Sequence, residues 1–345
     1  MGLFDDLSKD SVFKNELALT PDFIPENLAG RETELKEIAF ALQPVLKGSK
    51  ARAVFLHGVP GTGKTTSAEK VMQELKDYSQ SVACFKVNCW NNYTHAAVLS
   101  ELAQQAGIGM PRRGLASDEV FARVEEELSK KKTVVFLDEV DRLAFKGEEN
   151  ALYELSRSNA FKALILATNN SEFLTKLDDR IRSSLNALSI EYKKYSPKEL
   201  KEILRERAKI AFKTNACSEE AIALCTAFAA KNNGDARLAI SLLLDSGRNA
   251  DKRGSQKVDE VDARQAIDNT SNPSKDKKLV NLNSVEKQIL DFLKDKEASA
   301  GEVYASISLG ERAGRNYLRL LEAKGLITRT ETTKGKGRTT IVKLK

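Results

Sequence analysis

The sequence is poor in the residues that build metal centres, disulfide frameworks and membrane spans. Of 345 residues, four are cysteine and two are histidine. Cys84, Cys89, Cys217 and Cys225 form no Cys-x-x-Cys pair, and His57 and His95 add too few ligands for a zinc site. Reduced, mostly buried thiols are expected. No apolar run approaches the ~20 residues of a membrane-spanning helix. The stretch Met1-Gly2-Leu3-Phe4-Asp5-Asp6 is acidic where a secretory signal is basic, and Asp6 stands where a myristoylation signal has Ser or Thr. Internal repeats are also missing. These absences make an intracellular, cytoplasmic protein the expectation.

What is present is a globular composition: 41% hydrophobic and 30% charged residues, in a length that suits two or three domains. The net charge of +6 is unevenly placed. Residues 276–345 hold 15 basic and 9 acidic side chains, whereas the first 275 balance at 40 of each. From Arg312 onward there are ten basic and two acidic residues. A neutral body with a basic end fits an attached nucleic-acid-binding module or a solvated basic tail.

Three segments separate by pattern. Over 1–195, short apolar runs at 53–56, 81–87, 133–137 and 163–167 alternate with helical stretches, as in a parallel sheet covered on both faces. Over 196–275 the pattern is helical. Ser196-Pro197-Lys198-Glu199 is a capping box, and Leu200, Ile203, Leu204 and Ala208 follow at helical spacing. Further helices are expected from Ser218, after Gly234 and near Val258. Residues 271–278 read as a linker. The segment 276–345 reads as a small helical unit closed by two β runs, with a Gly/Lys turn at 333–338 between them.

Gly58-Val59-Pro60-Gly61-Thr62-Gly63-Lys64-Thr65 fits G-x-x-x-x-G-K-[ST] between a strand and a helix. The glycines let backbone N–H groups face an anion, and the helix N-terminus adds its positive end. Lys64 is expected at the β- and γ-phosphates and Thr65 at Mg²⁺. The apolar strand 133–137 ends in Asp138 and Glu139. Asp138 suits Mg²⁺, and Glu139 suits orienting or deprotonating an attacking water. Asn169 and Asn170 follow the strand 163–167. One of them touches the γ-phosphate or the water, or both simply begin a loop.

The helix expected from 310 to 324 places Arg312, Arg315 and Arg319 in a stripe of about 60°, opposite Leu318 and Leu321. This suits a recognition helix in a major groove, with Asn316 beside the arginines and Lys334, Lys336 and Arg338 tracking phosphates. The same face also fits protein contacts. Gly314 costs about 1 kcal/mol against Ala in a helix, and would allow close approach to DNA.

Together these motifs resemble the AAA+ ATPases, and more narrowly the archaeal origin-recognition and cell-division-control type DNA replication initiators. The resemblance runs from Phe23 to Lys345. It implies an α/β P-loop AAA+ domain, a helical lid and a C-terminal winged helix. It also implies that the stretch with Pro25 and Arg31 flanks the adenine of ATP or ADP, and that Gly58, Pro60, Gly61, Thr62, Gly63, Lys64, Thr65 and Thr66 hold the phosphates. Asn169 becomes the sensor residue. Arg180 becomes an arginine finger acting on a neighbouring subunit, with Arg182 as its competitor and Asp179 standing where the family usually has Pro. Arg237 becomes the lid arginine that reaches the nucleotide. Arg112, Arg113 and Gly114 fall in the initiator-specific insertion, a second DNA contact. The implied function is an ATP-controlled initiator, a weak ATPase that binds origin duplex DNA and helps load the replicative helicase, with paralogous initiator subunits as further partners. Two other readings fit parts of the pattern: a nucleotide-controlled regulator with a protein-binding winged helix, and a clamp-loader-like subunit.

Overall fold

The computed structural model describes residues 11–109, 117–271, 284–293, 297–307, 310–323, 326–334 and 337–344. The chain divides into two compact units, Met1–Ala266 and Ile267–Lys345. In the first, strands β1 (Val54–Gly58), β2 (Val82–Asn88), β3 (Lys132–Asp138), β4 (Phe161–Thr168) and β5 (Leu188–Tyr192) form a parallel sheet in the order β2-β3-β4-β1-β5. Side chains alternate between the two faces of a strand. Val134 and Phe136 therefore pack with Val54, Leu56 and the helices α1 (Glu32–Leu46) and α2 (Lys64–Tyr78). Val135 and Leu137 pack on the other face with Phe55 and α3 (His95–Gln105) and α4 (Ser117–Ser129). Both faces are covered, which is why these strands read as unbroken apolar runs. Four short helices complete this layer: α5 (Asp141–Phe145), α6 (Asn150–Arg157), α7 (Phe173–Lys176) and α8 (Asp179–Leu185). Because the strands are parallel, β1, β3 and β4 deliver Gly58, Asp138 and Thr168 to one edge of the sheet, the edge where ligands of such folds bind.

Four helices follow: α9 (Pro197–Ala211), α10 (Glu219–Lys231), α11 (Ala236–Lys252) and α12 (Glu260–Ser271). The capping box at Ser196 and Glu199 is formed in both directions, and Ser218 caps α10. Residues 11–19 lie on these helices and not on the sheet. Val12 N and Ser11 Oγ donate to Asp251, and Phe13 stacks on Phe212 at 4.9 Å. Gly247 makes that stacking possible, since a Cβ there would lie 2.2 Å from Phe13 Cζ.

The second unit contains α13 (Ser284–Phe292), β6 (Ala298–Ser299), α14 (Ala300–Ser306), α15 (Glu311–Ala323), β7 (Ile327–Lys334) and β8 (Gly337–Leu344). Its strands form an antiparallel sheet ordered β6-β8-β7 around a core with Ile289, Val303, Leu318, Leu321 and Val342. On α15, Leu318 and Leu321 are buried while Arg315, Asn316 and Arg319 are exposed. Gly314 corrects its sequence reading. It is buried, and a Cβ there would lie 2.2 Å from Tyr304 Cδ1, so it serves the packing of α14 on α15 and not an approach to DNA. No helix among the described residues is long and apolar enough to cross a membrane.

Candidate active site

The loop 58–65 leaves β1 and enters α2 with the backbone that its glycines permit. Gly61 has φ +75°, and a Cβ there would lie 1.9 Å from Asp235 Oδ1. A Cβ at Gly58 would lie 2.3 Å from Tyr192 O. The cradle is thus shaped by bare backbone, as an anion site requires. Asp235 itself caps α11 by accepting from Arg237 N and Leu238 N, and Ala236 N donates to Gly61 O at 3.1 Å. The helical segment docks on the phosphate loop through the first turn of α11.

Lys64 is buried, and its ammonium donates to Gly58 O (2.8 Å), Val59 O (2.9 Å) and Asn169 Oδ1 (2.9 Å). Burial, and after it the charge of Arg237, lowers its pKa to about 8. Thr65 Oγ1 donates to Asp138 Oδ2 at 3.0 Å. Asn169 Nδ2 faces both carboxylate oxygens of Glu139, at 3.2 and 3.3 Å. Burial, then the neighbouring Asp138 and Asp141, raises the Glu139 pKa. Glu139 is held at φ +53°, a backbone position uncommon for a residue with a side chain. The residues named from the two strand ends therefore form one chain of contacts: Asn169 joins Lys64 to Glu139, and Thr65 joins α2 to Asp138. Asn170 does something else, since its Oδ1 accepts from Glu172 N and closes a turn.

Beside the loop lies a cavity of about 150 Å³, lined in part by Pro25, Leu28, Gly61, Thr66, Arg237 and Leu244. Its walls join the stretch before α1, the phosphate loop and α11. Arg237 is exposed at this cavity and close enough to Lys64 to lower its pKa. Pro60 is exposed, and Thr62 Oγ1 donates to Val59 O within the loop.

Arg31 departs from its expected place. It is 3% exposed and does not line the cavity. Its guanidinium donates to Thr62 O (2.8 Å), Gly30 O, Lys193 O (2.6 Å) and Glu34 Oε1, and stacks on Tyr195 at 3.9 Å. It ties the phosphate loop to the chain leaving β5. Arg207, absent from the sequence reading, plays the matching part for the cavity. It is buried and donates to Ala18 O and Phe23 O, which fixes the stretch leading to Pro25. Its only sequence signal is an arginine on the apolar face of α9.

Arg180 is exposed and bonds to Asp178 Oδ1, while Arg182 pairs with Asp179. Arg112, Arg113, Gly114 and Lys336 lie outside the described residues, as do the side chains of Arg312, Lys334 and Arg338 and most of the expected linker.

Comparison with known proteins agrees with this architecture. Residues 47–177 match a family described as an AAA domain, and 201–268 match the Cdc6 AAA+ ATPase-type lid domain. ORC1-type DNA replication protein 1 of Methanothermobacter thermautotrophicus is 32% identical over 369 aligned positions, covering all of this chain and 96% of the relative. The chain belongs to the ORC1-type DNA replication proteins. The ORC1-type protein 1 of Sulfurisphaera tokodaii is 33% identical over 264 residues, 74% of this chain but 66% of that relative's length. Among solved structures, the Aeropyrum pernix ORC1 protein in complex with DNA superposes with a TM-score of 0.76 at 29% identity, covering 97% of this chain and 94% of that one. As an AAA+ ATPase of the ORC1 type, the protein is a member of a nucleotide-binding, replication-initiator family. The residues at the strand ends fit that chemistry: an ammonium turned back onto loop carbonyls, and two hard oxygen donors, Thr65 Oγ1 and Asp138 Oδ2, side by side.

Proposed function

We infer that this protein is an ATP-dependent DNA replication initiator that binds origin duplex DNA and helps load the replicative helicase. The reading rests above all on the Lys64–Asn169–Glu139 contact chain, which lies at one end of a phosphate cradle. The loop N–H groups and Lys64 bind the β- and γ-phosphates of ATP, and the cavity at Pro25 takes the base. Thr65 and Asp138 hold Mg²⁺, which neutralises phosphate charge when bound. Glu139 orients the attacking water and accepts its proton, and Asn169 keeps Glu139 and the Lys64 ammonium in register. Arg237 brings positive charge from the lid, and Arg180 serves a neighbouring subunit's site. An isolated chain lacks that last charge, so hydrolysis is slow and acts as a switch.

The domain plan is an AAA+ domain over 1–195, a lid over 196–275 and a winged helix over 276–345. The helix–strand–helix–helix–hairpin order of the second unit supports the last of these. Its arginine-bearing α15 enters the major groove, the hairpin tracks phosphates, and the 112–114 region makes a second contact. Two footprints on one duplex favour bent or underwound DNA. Paralogous initiators are further partners, and the nucleoid is the expected location. A helical collar would favour a clamp loader, and the strands and hairpin of the second unit favour the initiator reading instead.

Glu139→Gln tests the catalytic assignment. The variant is expected to bind ATP like the wild type and to hydrolyse it at least about 100-fold more slowly in single turnover. Equal rates would remove Glu139 from the mechanism.

A further inference from the structure

Three exposed aromatic rings and two cations gather beyond the carboxyl end of β2. Trp90 is 56% exposed, Tyr93 45% and Phe145 76%. Trp90 and Tyr93 follow β2, and Phe145 closes α5. The Arg142 guanidinium lies 3.4 Å from the Trp90 ring centroid, and the Lys146 ammonium lies 5.1 Å from that of Tyr93 and 5.8 Å from that of Phe145. The platform is held in place, because Trp90 N donates to Asn88 Oδ1 and Asn92 N to Asn88 O.

Such a cluster arises without function when cations merely cover surface rings. Two observations point beyond that. Among the described residues neither Arg142 nor Lys146 has a carboxylate within ion-pair distance; Glu149 Oε2 is buried and bonds to no donor, and three other acids of this region are engaged elsewhere. Glu148 accepts from His95 N, Asp141 accepts from Thr168 Oγ1, and Glu154 faces His95. In addition, Arg142 Nε is shielded from water and bonds to no acceptor. Exposed rings offer flat faces, and the cations offer donors lacking an anion. A duplex hides its base faces, whereas a single strand presents both bases and phosphates.

We propose that this patch binds single-stranded DNA. One base stacks on the open face of Trp90, Tyr93 and Phe145 offer further platforms, and Arg142 and Lys146 take phosphate oxygens. The proposal rests on the DNA-binding reading above, but concerns another strand form and another surface than α15.

Trp90 is the sole tryptophan of the chain, so intrinsic emission reports on this patch directly. The full-length protein, saturated with ATP, is titrated with an oligo(dT) of about 16 nucleotides over a salt series. The expected result is saturable, salt-sensitive quenching. Arg142→Ala with Lys146→Ala, and separately Tyr93→Ala, should each weaken the affinity by about fivefold or more with unchanged far-UV circular dichroism. Absence of quenching, with duplex binding by anisotropy intact, overturns the proposal and leaves the initiator reading standing. Trp90 emission that shifts with protein concentration and not with oligo(dT) also overturns it, and assigns the patch to a second copy of the chain.

Discussion

Lys64 sits where a cation is costly, with burial and then Arg237 holding its pKa down to about 8. In the role proposed for it, ATP phosphates would remove that penalty and raise the bound-state pKa. The sign follows: well below pH 8 Lys64 is already protonated, and its titration leaves ATP affinity unchanged. Above pH 8 the affinity should fall, by up to about tenfold per unit. Binding near pH 8 should therefore take up a proton, which calorimetry in buffers of different ionisation enthalpy reads directly. Affinity that stays flat through pH 9.5, with no proton uptake, would deny Lys64 this role. Glu139 shifts the other way: burial, then Asp138 and Asp141, raises its pKa, so hydrolysis should lose its base in acid earlier than with an exposed glutamate. That Lys64, Thr65, Asp138 and Glu139 would gather at one end of the sheet was legible, because a Gly-rich loop and the acids of a neighbouring strand recur at fixed places in a strand–loop–helix frame. Arg31 and Arg207 were not legible as supports. Their partners are backbone carbonyls brought close only by folding, and carbonyls carry no sequence signature.

Among the elements, the apolar strands β1 to β4 could be read from the sequence, and β5 could not. Leu188–Tyr192 pairs with β1 alone and buries only Ile190 and Tyr192, so its polar residues mask it. The helices after Ser196 were readable from their caps. The docking of residues 11–19 on those helices was not, since it depends on Gly247 leaving room for Phe13. Gly314 is the sharper case. Replacing it with Ala gains about 1 kcal/mol of helix propensity. The new Cβ, 2.2 Å from the Tyr304 ring, adds an overpacking cost of about 1–3 kcal/mol. The clash wins because the near atoms are Cδ1, Cε1 and Cγ, the base of the Tyr304 ring and not its free end. Gly314→Ala should lower the melting temperature of the C-terminal unit, and a raised one would show that the ring moves freely.

At the scale of the whole molecule, charge and architecture divide the work. The first 275 residues are neutral and include the AAA and lid matches, while the basic excess lies in the last seventy. That imbalance was visible in the composition, but whether it served DNA or only solvation was not. The structure adds that Arg315 and Arg319 are exposed on α15 while Leu318 and Leu321 are buried. On the function proposed above, the protein uses that face on duplex DNA. That use is tested most directly by fluorescence anisotropy on a labelled duplex, with ATP, across a salt series, comparing the wild type with an Arg315→Ala, Arg319→Ala variant. Salt-sensitive binding by the wild type is expected. In the variant, binding weakens and the slope of log affinity against log salt falls by about 0.9 for each arginine lost. Equal affinity and equal slope for the two proteins, or no duplex binding by the wild type at moderate salt, would contradict it.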